Sequence, residues 1–501
     1  MAWQPFDIGR FHYFSHAWLL DTHEVGLYDP ETRRVITVTL PNPDGHFNLD
    51  DGEPDDITPV NKAGAALIAH LDDLPPETVG LKIDEAGKVL SFWADPERDW
   101  TPVLDHLAVE KYQFPPHMAS KTVLRSELTE LRRFVVNVDL VSYTASPSIR
   151  PHNKGDNRYI FKYAIHTLIP IWTELQILAR LPPHPHRMTL DRLVLDETTG
   201  SRVVGFTTKY IDSETLDKSR PPFKLKWLRQ LMQTVDDLNL RHGIIHQDIA
   251  HRNLLIDPET DSIVLFDFNT AYRVGVKKEG GLDNEGKWGE RDDVKGVLIF
   301  LYEYITRDPA LKLYWLHMLD EKDFRDPAKW IKHPDVELDD DVAEFYCELM
   351  AWARSRRAGE QLTHYTEAPE PLDWPSLPEE ARLIDNVANR HKEGLPYLHW
   401  TRPLLSKLDP TRRLLATGRY ADDEPVVQGL KQRRRPSAAT TSEPAKKRLR
   451  GGRAGKDDGA KGVPVVARDV ARVGRTLRSR QATPPKRRIS TDSNPDLSAK
   501  A

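Results

Sequence analysis

The first hundred residues alternate between strand-like and helix-like hydrophobic patterns. Residues 23–39 alternate partly between apolar and polar side chains around a turn at residues 28–31, which predicts a β-hairpin. Residues 63–71 have the spacing of a short amphipathic helix, and residues 79–93 predict a second hairpin. We therefore expect a small α+β extension over residues 1–105, in which the sequence shows no catalytic combination of side chains.

A second run of strand-like and helix-like segments follows over residues 120–211. Residues 124–131 have the pattern of an amphipathic helix, whereas residues 134–143 are rich in the β-branched side chains that favour strands. Further strands are predicted at residues 158–164, 190–195 and 202–211.

Two charged residues stand out in this run, and the first of them, Lys162, lies in apolar surroundings. Lys162 is the one lysine of the strand predicted at residues 158–164, and Glu174 lies in a helix that begins at Pro170. If neither residue belongs to a functional site, Lys162 would be an edge-strand lysine in solvent and Glu174 would lie on a solvated helix face.

Short apolar runs dominate the middle of the chain. Ile244-Ile245, Leu254 to Ile256 and Ile263 to Phe266 predict short buried strands, with polar residues at their ends. Helices are predicted at residues 225–240, 291–305 and 341–356. Residues 358–400 are rich in Glu, Pro and His and predict an insert or an irregular cover.

The polar residues between the apolar runs have a spacing that suits phosphoryl transfer. Asp248 follows His246 by two residues and precedes Asn253 by five, and Asp267 ends the last apolar run. Such a site needs one carboxylate near the attacking hydroxyl, and an amide oxygen and a second carboxylate that hold metal ions.

These residues resemble the catalytic and metal-binding loops of the protein-kinase-like superfamily. The resemblance is carried by His246-Gln247-Asp248, Asn253 and Asp267-Phe268-Asn269, and it is closest to the divergent kinase-like proteins of filamentous fungi. It implies an α+β, two-lobed kinase-like fold, with a small lobe over residues 120–211 and a large lobe over residues 212–424.

The resemblance also implies a role for each candidate residue. Asp248 would be the base, with ATP and Mg²⁺ as cofactors. Lys162 would contact nucleotide phosphates, and Glu174 would pair with it. An aspartate that opens a large-lobe helix would hold the catalytic loop, and the spacing leaves Asp292 and Asp293 both open. The metal ligands would be Asn253 and Asp267, and the nucleotide base would bind at Lys209, Tyr210 and Ile211.

Several features depart from the family pattern. No Gly-x-Gly-x-x-Gly precedes Lys162, Asn269 stands where the family has glycine, and Gln247 stands where it has arginine. Residues 274–290 contain no Ser, Thr or Tyr. We expect ATP-dependent phosphotransfer to a protein Ser/Thr hydroxyl. The alternatives are a pseudokinase scaffold that acts by binding partners and a small-molecule phosphotransferase.

Composition adds a contrast in charge between the body and the C-terminal end. Residues 431–501 carry 20 Lys and Arg against 6 Asp and Glu, whereas the whole chain has a net charge of −5. The acidic body argues against a nucleic-acid-binding surface. Residues 425–501 have too few apolar side chains to form a core, so we expect a disordered basic tail.

The basic clusters of this tail and the rest of the composition bear on location. Clusters at residues 431–435 and 446–450 resemble a bipartite nuclear-import signal, so an import receptor is a candidate partner beside a protein substrate. The sequence has one cysteine, no run of about 18 apolar residues and no signal-like start, so we expect no membrane segment and a location in nucleus or cytoplasm.

Overall fold

The computed structural model describes most of the chain up to residue 397. The described residues all belong to one compact unit. The predicted tail at residues 425–501 lies outside the described residues. No helix among the described residues is long and apolar enough to cross a lipid bilayer. The described ranges are 11–18, 22–41, 58–75, 77–143, 157–276, 292–313, 319–359, 361–381 and 385–397.

A five-stranded sheet and one helix form the N-terminal module. The strands are adjacent in chain order, antiparallel except for the parallel pair β3–β4, and both predicted hairpins are present. One helix packs on the sheet, and the apolar side chains between them form a separate core. The elements are β1 His12–Trp18, β2 Thr22–Asp29, β3 Arg34–Pro41, α1 Thr58–His70, β4 Gly80–Ile83 and β5 Val89–Trp93.

A six-stranded sheet follows, in the order β7-β11-β12-β10-β9-β8. One short strand and a short helix precede it in the chain, and the longer helix α3 joins two of its strands. The elements are β6 Pro102–Val103, α2 Pro116–Ala119, β7 Thr122–Leu124, β8 Thr129–Val135, β9 Val138–Ser142, β10 Arg158–Tyr163, α3 Ile169–Arg180, β11 Leu190–Leu195 and β12 Val203–Lys209.

One sequence prediction is wrong at the edge of this sheet, and another is confirmed in part. The helix predicted at residues 124–131 is replaced by the end of β7, a short 3₁₀ turn and the start of β8. The strand predicted at residues 134–143 is present as β9, but its first residues end β8 and turn at Val136-Asn137, so that β8 pairs with β9 in a hairpin. Tertiary pairing overrides the local helical pattern here, because β9 pairs with β10 on one edge and without β8 its other edge would have no strand partner.

The rest of the described chain is mainly helical, so the unit is a mixed α+β fold. A large apolar core joins α3 to the first three α-helices that follow the sheet, and these three lie where the sequence predicts them. A further short helix, Val387–Glu393, instead lies in residues 358–400, which the sequence predicts to be an insert or an irregular cover. The elements are α4 Leu225–Asp236, β13 Ile244–Ile245, β14 Leu254–Asp257, β15 Ser262–Leu265, β16 Tyr272–Arg273, α5 Asp293–Thr306, α6 Val342–Ala358, β17 Asp385–Asn386 and α7 Val387–Glu393.

Candidate active site

Lys162 connects two acidic residues that come from different parts of the fold. It lies on β10, an interior strand with β9 on one side and β12 on the other. Its Nζ atom is 2.6 Å from Glu174 Oε2 on α3 and 2.5 Å from Asp267 Oδ1, just beyond β15. Its side chain is 13% exposed, which excludes the solvent-exposed interpretation for Lys162.

Burial and charge act in opposite directions on these three groups. Burial disfavours the charged form of Lys162, but the two carboxylates outweigh it, so the pKa of its ammonium is raised. Burial raises the pKa of Glu174 to about 7 against the opposing effect of Lys162. Although burial opposes it, Lys162 holds the pKa of Asp267 below its usual value, so Asp267 is the carboxylate that stays ionised.

The backbone around Asp267 is shaped by its neighbours. Asp267 has a φ of 67°, in the left-handed region that non-glycine residues rarely adopt. Phe268 is fully buried, its ring meets that of His246 edge-on at 4.8 Å, and its N–H donates to Glu174 Oε1 at 3.3 Å. These contacts hold Asp267 in its unusual conformation and direct its carboxylate to Lys162.

Asp293 fixes the loop that contains Asp248. Its carboxylate accepts hydrogen bonds from the N–H groups of His246 and Gln247, both at 2.8 Å, and from Asn239 Nδ2 at 2.8 Å. Asp292 instead caps α5, where it accepts from Val294 N at 2.8 Å. Of the two residues that the spacing left open, Asp293 therefore holds the loop.

His246 is a fully buried link between the two loops. The N–H of Asp248 donates to its Nδ1 at 3.3 Å, so the ring proton is on Nε2, which donates to Phe266 O at 3.1 Å. Thr270 Oγ1 also donates to His246 O at 3.1 Å. Because both ring nitrogens are hydrogen-bonded to the main chain, the His246 side chain holds the two loops together.

Asp248 and Asn253 are in direct contact. Asn253 Nδ2 donates to Asp248 O at 2.9 Å and to Asp248 Oδ2 at 2.8 Å. Both bonds use the amide nitrogen, which leaves the amide oxygen of Asn253 as the atom that can bind a cation. Asp248 is 8% exposed at the end of this loop.

Arg252 is a contact of Asp248 that sequence reasoning missed. Its Nη2 donates to both carboxylate oxygens of Asp248, at 2.6 and 2.8 Å, and its side chain is 60% exposed. The sequence contains a signal for this pair, because Asp248 and Arg252 are oppositely charged and four positions apart. Such residues often pair in a tight turn or helix.

A Mg²⁺ ion would have few protein ligands here. In the described ranges, no group of three or more His, Cys, Asp or Glu residues could hold a metal ion. The amide oxygen of Asn253 and the ionised carboxylate of Asp267 are nevertheless the hard oxygen ligands that Mg²⁺ prefers, and Mg²⁺ usually completes its shell with waters and substrate phosphates. The donor set therefore fits Mg²⁺ only together with a phosphate ligand.

The three residues predicted to contact the nucleotide base lie at and after the end of β12. Lys209 is exposed, with Nζ 3.4 Å from Glu259 Oε2, and Ile211 is buried. Tyr210 N donates to Arg158 O at 3.4 Å, and Ile211 O accepts from Ser213 N at 2.8 Å, so part of this main chain is already hydrogen-bonded.

An aromatic residue beside this segment was also missed. The ring of Phe134, on β8, lies 6.3 Å from that of Tyr210 between centroids, at an interplanar angle of 22°. The sequence predicts Phe134 only as part of a strand. Its contact with Tyr210 could not be predicted, because the two residues are 76 positions apart.

Comparison with known proteins finds a weak and partial similarity to protein kinases. No family model matches the chain. The chain is 30% identical over 112 residues to the MAPK/MAK/MRK overlapping kinase of Mus musculus and 31% identical over 112 residues to that of Homo sapiens. Each match covers 21% of this chain and 26% of the relative, about a quarter of its length. The similarity indicates a protein-kinase-like relationship.

Proposed function

We propose that the chain is a divergent protein kinase that transfers phosphate from ATP to a protein Ser/Thr hydroxyl. The observation that carries the proposal is the convergence of Lys162, Glu174 and Asp267 from a strand, a helix and a loop into one ion-paired group. Buried charges at such short distances are costly unless each is compensated, and they cluster at functional sites.

The arrangement of elements supports a two-lobed kinase-like fold. In this proposal the six-stranded sheet and α3 are the small lobe, and the helices from α4 onward are the large lobe. Lys162 and Glu174 then belong to the small lobe, and Asp248, Asn253 and Asp267 to the large lobe. The ion pairs of Lys162 with Glu174 and Asp267 would join the lobes at the cleft.

Each residue then has one task. ATP would supply the phosphoryl group and Mg²⁺ would neutralise its charge. The Lys162 ammonium would contact phosphate oxygens and Glu174 would orient it, while the Asn253 amide oxygen and the Asp267 carboxylate would hold the metal. Asp248 would orient the acceptor hydroxyl and accept its proton.

A specific observation favours a pseudokinase scaffold as the second candidate. The hairpin that stands before Lys162 turns in two residues, Val136 and Asn137, and neither is glycine. A glycine-rich loop would let its main-chain N–H groups approach phosphates more closely. A small-molecule phosphotransferase is a further alternative. Residues 274–290 contain no Ser, Thr or Tyr, which weakens the case for recognition of an ordinary peptide substrate.

Thermal melting with ATP, with and without Mg²⁺, tests the proposal. Either enzyme should be stabilised by ATP in a Mg²⁺-dependent way, whereas a scaffold should not. Radiolabel transfer from ATP to a peptide library and to a panel of small alcohols then separates the two enzymes. Transfer to Ser or Thr peptides supports the protein kinase, and transfer to alcohols alone contradicts it.

We also propose that the protein is located in the nucleus or cytoplasm, with an import receptor as a partner of its basic tail. The support is the sequence of residues 431–501, with its compact basic clusters. The acidic body argues against nucleic acid as a ligand of the folded part.

A further inference from the structure

The turn between β2 and β3 presents two buried charged side chains to the neighbouring sheet. Glu31 and Arg33 are each 6% exposed. Asp29 fixes the turn, because its carboxylate accepts from Glu31 N and from Thr32 Oγ1, both at 3.0 Å, and its carbonyl accepts from Arg33 N at 2.7 Å. Arg33 adopts a φ of 57°, so the direction of its side chain is set by a tightly bonded turn.

Both side chains form ion pairs with the β8–β9 hairpin. Glu31 Oε2 accepts from Arg133 Nη1 on β8, and Arg133 Nε donates to Glu130 Oε1 at 2.6 Å. Arg33 Nη2 lies 4.0 Å from Asp139 Oδ2 on β9. None of these side chains is more than 13% exposed. The N-terminal module therefore holds each strand of the hairpin by a separate buried contact.

Arg33 also reaches the tip of the hairpin through Tyr163. Its guanidinium carbon lies 4.2 Å from the centre of the Tyr163 ring. Tyr163 donates from its hydroxyl to Val136 O at 3.0 Å and from its N–H to Asn137 O at 3.2 Å, which are the two turn residues. Tyr163 directly follows Lys162, so one aromatic residue ties the turn to the strand that carries the site lysine.

We propose that the N-terminal module positions the β8–β9 hairpin over the nucleotide site, with Glu31 and Arg33 as its positioning residues. The proposal rests on the proposed function. Val138 of the hairpin pairs with Lys162, so the hairpin borders the place where phosphates would bind. Without glycine, side chains limit how closely the main-chain N–H groups of this turn can approach phosphates. Holding the turn in place would lower the entropic cost of nucleotide binding.

The test compares Arg33→Met and Glu31→Gln with wild type in the full-length protein. Hydrogen exchange of residues 136–141 is measured without nucleotide, and KM for ATP and kcat are measured in the phosphotransfer assay. We expect exchange to become about tenfold faster and KM for ATP to rise about tenfold, with kcat changed by less than about threefold. Arg33→Lys keeps the positive charge, so its exchange rate and its KM for ATP should lie between those of Arg33→Met and those of wild type.

Arg34→Met is the matched control. Arg34 is next to Arg33 but pairs with Asp99, at 3.2 Å, and so leaves the hairpin contacts in place. If Arg33→Met and Glu31→Gln behave as Arg34→Met does in exchange, or if exchange rises while KM for ATP does not, the positioning role is refuted. Should Arg33→Met fail to fold, the isosteric Glu31→Gln decides.

The exchange measurement also separates this proposal from the proposed function. A wild-type protein that binds no ATP would refute the proposed function. If the exchange of residues 136–141 is the same in the Arg33 and Glu31 variants as in wild type, the positioning role of the N-terminal module is refuted whether or not the protein binds ATP.

Discussion

One nitrogen of Arg252, Nη2, lies within hydrogen-bonding distance of both carboxylate oxygens of Asp248, at 2.6 and 2.8 Å. The Arg252 side chain is 60% exposed, so the pair adds little to the stability of the fold. It instead places a cation beside the carboxylate that is proposed to receive the acceptor hydroxyl, where it can contact an anionic group of the acceptor.

Arg252→Gln should therefore lower kcat/KM for the phosphate acceptor by about tenfold, the loss expected for one charge-assisted hydrogen bond. The affinity for ATP and the melting temperature should stay close to wild type. Steady-state kinetics with acceptor and ATP varied separately measure this. Arg252→Lys should be intermediate, and an unchanged kcat/KM for Arg252→Gln would leave the ion pair without a role in the chemistry.

Asp248→Asn should reduce phosphotransfer by about 10²–10⁴-fold, because an amide does not accept the acceptor's proton. The nucleotide should still bind, since Asp248 contributes little to contacts with the phosphates in the ground state. Turnover and ATP binding are measured on the same preparation. Full turnover by the variant would show that another group is the base.

Asp267→Ala should remove the Mg²⁺-dependent part of the stabilisation by ATP. The carboxylate is one of the two proposed oxygen ligands for the metal, and it also balances the charge of Lys162. Thermal melts with ATP, with and without Mg²⁺, test it. Asn253→Ala is the matched comparison, because it removes the other proposed ligand. An unchanged Mg²⁺-dependent shift in both variants would place the metal elsewhere.

The sequence predicts the parts of the site that are close together in the chain and misses those that meet across it. The spacing of His246, Asp248 and Asn253 is local, and the structure brings these residues into one hydrogen-bonded loop. Spacing left Asp292 and Asp293 open, because only the three-dimensional direction of each carboxylate separates a helix cap from a contact with the loop.

The pairing of residues far apart in sequence had no comparable signal. Arg133 and Glu31 are 102 positions apart, and nothing in either segment marks the other as its partner. The helix wrongly predicted at residues 124–131 has the same cause, since its true state depends on the pairing of β8 with β9. Lys162 and Glu174 are an exception, because the order of strand and helix in the family resemblance already paired them.

The pH dependence of stability should report on Glu174. Its pKa is raised from 4.5 to about 7 by burial, so the folded protein binds more protons than the unfolded chain between these two values. The free energy of unfolding should therefore fall as the pH rises from about 4.5 to about 7, and Glu174→Gln should remove this part of the slope. Denaturant unfolding of both proteins from pH 4.5 to pH 8 measures it, and identical slopes would contradict the assignment.

Deleting residues 431–501 should leave the melting temperature of the remaining protein almost unchanged, because a segment this polar and charged has no core to contribute. The deletion should also move the protein from nucleus to cytoplasm, since it removes every basic cluster of the tail. Neutralising only Lys446, Lys447, Arg448 and Arg450 should give part of that shift if the first two clusters act as a pair. Imaging of tagged full-length and truncated protein measures the location of each. Equal nuclear signal for both would contradict the import proposal, and the basic clusters would then serve a different partner.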